Sequence, residues 1–292
     1  MPLTRLLTRL LQLRADTRSL AIARITLAFC AFGLAWENWR ILLRLLNPMI
    51  VQLPYLEWLP RLPVNALPIF VGAWVITSTA FLLGWKTRLA GAILTCLCGY
   101  TLLLDQQLYS NHLYLFFLIV LLLSVADSGA ALSLDSLRKG SRDTVAGWPA
   151  LLLRVQVSLV YSFSALAKLT PQYLSGDVLS QTLKRQGWLV FPFSWRSAQV
   201  LSVLAVSAIV LELFIAFGLW NERLRWLAVI GGIALHAFIL TTLDSSRLSL
   251  GVFALEMFAL YPLFFQRLQL SSRQTSAQKS TTGTIDDLRR AS

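Results

Sequence analysis

Apolar residues fill this chain in eight stretches separated by short polar joints, at roughly 20–36, 64–84, 89–104, 113–126, 148–169, 198–220, 226–243 and 248–266. Several approach the ~20 residues a helix needs to cross a bilayer, while the third and fourth are short. Backbone groups in hydrocarbon need partners within their own segment, and these runs lack the two-residue alternation of a membrane barrel. The pattern therefore predicts an all-α fold, a polytopic membrane helical bundle of about eight transmembrane helices. Ahead of the first run, Leu3, Leu6, Leu7, Leu10 and Leu13 alternate with Arg5, Arg9, Arg14 and Arg18, as in an amphipathic helix lying on an anionic surface. Leu20 to Trp36 is long and no small-residue cleavage site follows it, so the segment is expected to be retained. Beyond Ser271 the chain is polar and without period, a composition that does not fold. The resulting division is an amphipathic cytoplasmic helix at 1–19, a transmembrane bundle at 20–266 and a disordered basic cytoplasmic tail at 267–292.

Composition agrees with the pattern: 56% of residues are hydrophobic and only 14% charged, with a mean hydropathy of +0.64, far from a soluble domain. The net charge of +12 does not indicate nucleic acid, because the basic residues are spread over joints and tails instead of forming one stripe with interleaved aromatics. It indicates orientation. With both termini cytoplasmic, about 16 Lys and Arg fall on the inner side, about 7 outside and about 3 within spans, as the positive-inside rule requires. Segments 37–63, 105–112, 170–197 and 244–247 then face outward. Five prolines, Pro48, Pro54, Pro60, Pro63 and Pro68, crowd the first of these and the start of the second span and predict a rigid outer cap. Cys30, Cys96 and Cys98 lie inside spans, and an i, i+2 pair on a helix faces two ways, so neither a disulfide framework nor a metal site is expected.

The informative residues are the ionisable ones inside the spans: Arg24, Arg154, Lys168, Glu212, His236 and Glu256. Each costs about 2.5–3.5 kcal/mol at the bilayer midplane and so needs a partner. Topology puts Arg24, Arg154 and Glu212 in the inner half, and Arg154 with Glu212 is expected as a structural intramembrane pair. Arg154, Tyr161 and Lys168 recur every seven residues, with Ser158, Ser164 and Ala165 beside them, so this stripe of the fifth span should face the bundle interior. Lys168 either snorkels to the headgroups or is held inside. The outer joint from Asp105 to His112 contains no lysine or arginine and brings His112 to the level of Lys168, which His236 also approaches.

Three elements carry a resemblance: Asn111-His112-Leu113-Tyr114-Leu115, then Arg154-Val155-Gln156 leading through Tyr161 to Ala167-Lys168-Leu169, and Leu174-Ser175-Gly176. Together they resemble the HTTM domain shared with vitamin K-dependent γ-glutamyl carboxylases, and the likeness runs from Ser19 through His236. In those enzymes the lysine of the Lys-Leu element is the base in reduced vitamin K chemistry and the Asn-His element lies near the quinol. The resemblance thus implies Lys168 and His112 as catalytic residues, and Asn111, Tyr114, Tyr161 and His236 as substrate-binding residues. It also implies a reduced, vitamin K-like quinone as cofactor, with no metal. An amine in an apolar pocket is pushed toward its neutral form and can take a proton from a quinol hydroxyl. Replacing Lys168 by Ala would then remove a base at little cost in packing.

The sequence departs from the carboxylases at Ala167, where they resemble a double lysine, and at Tyr173, where a tryptophan is usual. The carboxylases also continue into a large soluble region that holds the protein substrate. Two functions are compatible with these features. The first is a quinol-dependent carboxylase- or epoxidase-like lyase using lysine-based, oxygen-dependent chemistry. The second is a non-catalytic membrane partner in peptide export or maturation, as in the compact bacterial member that matures a secreted sporulation-delaying toxin. Either one implies a bacterial inner-membrane location and, as partners, membrane lipid and a peptide or partner protein, with no nucleic acid.

Overall fold

A computed structural model describes residues 2–183, 197–242 and 247–270. Helix α1 (Pro2–Gln12) leads into strand β1 (Leu13–Asp16) and the long helix α2 (Thr17–Leu45). There follow α3 (Leu67–Leu83), α4 (Thr87–Leu104), α5 (Asn111–Val125), α6 (Leu134–Lys139), β2 (Thr144–Ala146) and α7 (Trp148–Ala167). The rest comprises α8 (Pro171–Leu174), α9 (Asp177–Thr182), α10 (Ala198–Gly218), α11 (Arg225–Thr242), α12 (Arg247–Leu260) and β3 (Gln269–Leu270). Among the described residues, seven helical segments are long and apolar enough to span a membrane, and α5, at 15 residues, is shorter. At 1.5 Å per residue it covers only about 22 Å. It is tolerated because α2, α4, α7 and α12 pack around it, so its ends meet protein instead of lipid.

Local chemistry sets the helix ends. Asp16 caps α2 by accepting from the Ser19 amide at 3.0 Å, Ser110 caps α5 and Ser133 forms a capping box on α6, each using a side-chain oxygen for an orphan amide. Gly84 ends α3 at φ +65°, where a Cβ would sit 2.3 Å from Ser133 Cβ, so both the left-handed turn and the close approach require glycine. Helix α7 stops at Lys168 because Thr170-Pro171 cannot continue it.

Three boundaries differ from the sequence reading. Helix α2 continues past Trp36 to Leu45, so Glu37 is helical and not in an outer loop; amphipathic character replaces pure apolarity over its last turns. The amphipathic helix ends at Gln12, with Leu7 and Leu11 exposed, because Leu13–Asp16 pairs as a strand with Thr144–Ala146 and Gln269–Leu270. Residues 267–270 consequently belong to the body, while 271–292 lie outside the described residues, as do 184–196 and 243–246 of the outward segments. This three-stranded sheet, ordered β2-β1-β3, gathers the N-terminal, central and C-terminal joints on one side of the bundle. On the other side the first joint is tied down: the Asp105 carboxylate accepts from the Leu53 amide at 2.9 Å, Gln106 N donates to Leu53 O at 2.8 Å, and Tyr100 Oη donates to Pro60 O at 2.8 Å.

Candidate functional site

Helices α7 and α10 pack antiparallel, and hydrogen bonds fix their register. Ser158 Oγ donates to Ala216 O at 2.8 Å, and six residues further along α7 Ser164 Oγ donates to Glu212 Oε1 at 2.9 Å. Lys168, one turn beyond Ser164, folds its amine back onto this point: Nζ lies 2.8 and 2.9 Å from the two Glu212 oxygens, 2.6 Å from Ser164 Oγ and 3.2 Å from Ser164 O. Its three N–H bonds are thus spent on a carboxylate and a serine, the geometry of an ammonium. The α7 carbonyl end adds a further favourable dipole. The Lys168 side chain remains 25% exposed against 5% for Glu212, and the Tyr173 ring stands 5.9 Å from Nζ.

The depth of this pair decides how Lys168 is to be read. Glu212 is fourteen residues from the start of α10 and six from its end, or about 21 and 9 Å along the axis. Lys168 therefore ends its helix well inside the span of its neighbour, and the chain continues as α8 and α9 against the remaining outer turns of α10. This is not a lysine snorkelling to the headgroups.

A second group sits beside it on the same face of α7. Tyr161 Oη lies 3.1 Å from His236 Nε2 and hydrogen-bonds Tyr261 Oη, all three residues being buried. Tyr161 also lies within electrostatic reach of Glu212. His236 is boxed by the rings of Phe253, at 5.7 Å, and Phe258, at 5.4 Å. Gly232, one turn before His236, makes room for the Tyr261 hydroxyl, which would be 2.1 Å from a Cβ.

A third group occupies the outer ends of α2, α5 and α12. His112 Nε2 lies 2.8 Å from Glu37 Oε2 and 3.3 Å from Ser110 Oγ, and Ser249 Oγ donates to Glu37 Oε1 at 2.7 Å. It shares no hydrogen bond with the Lys168 group among the described residues. Asn111 is exposed, and Tyr114, 45% exposed, lies against Tyr109 with ring centroids 6.3 Å apart. Of the residues singled out by sequence, then, Tyr161 and His236 meet directly, and Lys168 pairs with Glu212. His112 belongs to another network, and Asn111 and Tyr114 turn away from the interior.

The expected Arg154–Glu212 pair is not formed. Arg154 lies ten residues inward of Ser164 on α7, below the end of α10, and its guanidinium donates to Gln266 O at 2.6 Å and rests 5.7 Å from the Phe264 ring. Lys168 takes the carboxylate instead, so its surroundings are not the apolar pocket expected for a neutral amine. Sequence reasoning also missed Glu37, which α2 reaches only by extending past its apolar run, and Tyr261, which follows the last helix in a 3-10 turn. Arg24 makes no ion pair among the described residues, Asp135 lying only within longer electrostatic reach; it donates to the carbonyls of Phe81, Leu82, Ser128 and Leu132.

Comparison with known families matches the HTTM domain to residues 13–267. No solved structure matches the chain.

Proposed function

Because the chain belongs to the HTTM domain family, a membrane domain of the carboxylase type, we propose that it binds a reduced, vitamin K-like quinone and performs lysine-based, oxygen-dependent chemistry at the Lys168–Glu212 layer. The observation that carries this reading is the amine and carboxylate held 2.8 Å apart inside the span, with the amine side open. An isolated ion pair is costly there, and moving the proton from Lys168 to Glu212 makes both groups neutral. The amine is then free to accept a proton from a hydroxyl presented at its exposed side. When bound, a reduced quinone supplies that hydroxyl and the electrons for oxygen. The donor set suits such a group: an amine, a carboxylate, the Ser164 hydroxyl and an aromatic wall at Tyr173. Tyr161, bound to His236 and Tyr261, lies within electrostatic reach of Glu212. Asn111, His112 and Tyr114 are assigned no contact with it.

The joints gathered by the sheet carry the basic excess, which supports an orientation with both termini in the cytoplasm of a bacterial inner membrane. A second reading, a non-catalytic membrane partner in peptide export or maturation, is favoured by one observation: every N–H of the Lys168 amine has an internal acceptor, as a purely structural brace would have.

The test is lipid extraction and mass spectrometry of the purified protein, joined to quinol turnover under oxygen. A co-purifying quinone, turnover by wild type and none by Lys168→Arg are expected, since guanidinium keeps the charge but does not release its proton. Turnover by the Arg variant at the wild-type rate defeats the base assignment. No quinone and no turnover with wild type, together with a specific protein captured by pull-down, establish the partner reading.

A further inference from the structure

On the side of the sheet, the α3–α4 turn and the segment from α5 to β2 enclose a cleft of about 760 Å³. We propose that this cleft binds the phosphate headgroup of an anionic phospholipid. Both of its carboxylates are already engaged. Asp127 takes Arg88 Nε at 3.3 Å and also Arg142, while Asp135 accepts from the Lys86 amide at 2.9 Å and from the Thr87 amide and hydroxyl at 2.8 Å each. Burial pushes the Asp135 carboxyl up, but those donors together, with the nearby Lys139 charge, outweigh it and hold the carboxyl below its ordinary range. Lys86, Arg138 and Lys139, which also line the cleft, enter no hydrogen bond or ion pair through their side chains among the described residues, apart from the longer-range attraction of Lys139 to Asp135. The cleft is left with three cations and no carboxylate to spare for them.

An orientation rule alone would place basic residues on this side but would not build walls for them. Here the walls are fixed. The non-glycine residues at positive φ among those described are Lys86 at 46°, Asp127 at 58° and Leu132 at 48°, all in the two segments that frame the cleft. Bulky residues rarely adopt this conformation, and strained backbone concentrates where structure serves a site. Arg24 locks the strain from within the bundle: its guanidinium binds the carbonyls of Phe81 and Leu82 on one wall and of Ser128 and Leu132 on the other.

The source of the phosphate is argued from the rim. Leu89, one turn into α4, lines the cleft and is 54% exposed, and the neighbouring Leu132 and Leu137 are 58% and 82% exposed. Trp85, 46% exposed, lies under Lys86 Nζ at 5.4 Å, the placement of an interfacial aromatic anchor. A soluble phosphate has no use for these leucines; acyl chains do.

The experiment titrates the purified full chain in nonionic detergent with phosphatidylglycerol, with phosphatidylcholine of the same acyl chains, and with inorganic phosphate, reading bound species by native mass spectrometry. Wild type should retain phosphatidylglycerol preferentially. The double variant Arg138→Gln/Lys139→Gln should lose about 30-fold in affinity, roughly fivefold for each basic residue removed near an anionic headgroup. Both residues are exposed at the end of α6, so thermal stability should not change. Arg223→Gln/Arg267→Gln, removing equal charge from the same face outside the cleft, should bind as wild type. Equal loss in that control, equal retention of phosphatidylcholine, or undiminished phosphatidylglycerol binding by the Arg138/Lys139 variant overturns the proposal. Tight inorganic phosphate with no preference for the anionic lipid assigns the cleft to a soluble ligand and overturns it as well.

Discussion

Removing either member of the Lys168–Glu212 pair should destabilise the protein strongly, and removing both should not. Breaking a buried pair leaves one uncompensated charge, at a cost of about 3–5 kcal/mol, whereas apolar replacement of both partners is commonly neutral or stabilising by about 1–4 kcal/mol. The structure also predicts which single variant suffers more. Glu212 is 5% exposed and Lys168 is 25% exposed. Lys168→Met strands a carboxylate whose remaining donor is Ser164, at 2.9 Å, and should fall near the upper end of the range. Glu212→Leu leaves an ammonium that keeps Ser164 Oγ at 2.6 Å and has an open side, and should fall near the lower end. A double-mutant cycle measured by reversible unfolding in mixed micelles, followed by tryptophan fluorescence, gives the coupling directly. Effects that add within about 0.5 kcal/mol would show that the residues do not interact and would refute the pairing, its depth and the proton-sharing argument together. Where the sequence reading expects Lys168→Ala to cost little stability, the pairing with Glu212 predicts a cost: loss of turnover in such a variant must be corrected for loss of folded protein, and Lys168→Arg becomes the informative substitution.

Arg24→Met should cost at least about 3 kcal/mol, because four carbonyls lose a charged donor in a buried setting, and Arg24→Lys should not restore it, since one compact ammonium cannot span four acceptors; thermal unfolding within 1 kcal/mol of wild type would discount the guanidinium as the tie between the two turns. Glu256 is fully buried and neither of its carboxyl oxygens has a hydrogen-bond partner among the described residues, so Glu256→Leu should raise stability by about 1–3 kcal/mol, and a fall in the same micelle assay would mean that the carboxyl is in fact satisfied.

The helices were legible because each apolar run is a direct record of bilayer thickness: the starts and stops of α3, α4, α7 and α10 lie within a few residues of the runs that predict them. What hydropathy cannot register is a helix that outlives its apolar stretch, as α2 does through Glu37, Arg40 and Arg44, or a sheet formed from three short segments that individually look like joints. The polar stripe of α7 was legible from its seven-residue spacing, and Arg154 and Tyr161 are buried as that spacing requires. The partners were not, because a pairing depends on the relative stagger of two helices. Arg154 and Glu212 share the inner half only if α7 and α10 end level. Instead α7 runs on past the end of α10, and the carboxylate faces Ser164 and Lys168.

That stagger also explains why one cation can be costly and the others not. Arg24 and Arg154 lie near the sheet side and donate to main-chain carbonyls, groups that helix ends and turns leave free in any case. Lys168 has the free carbonyls of its own helix end and adds a carboxylate, so two ions are held in hydrocarbon where a hydrophobic pair would serve packing as well or better. Helix α7 ends at that point while α10 continues past it for about 21 Å, and α8 and α9 pack against the remaining turns of α10. A snorkelling anchor needs no carboxylate. The proposed exchange of a proton with a membrane-borne hydroxyl would use both features of the pair: the open side of the amine, and the carboxylate to hold the proton that the amine gives up.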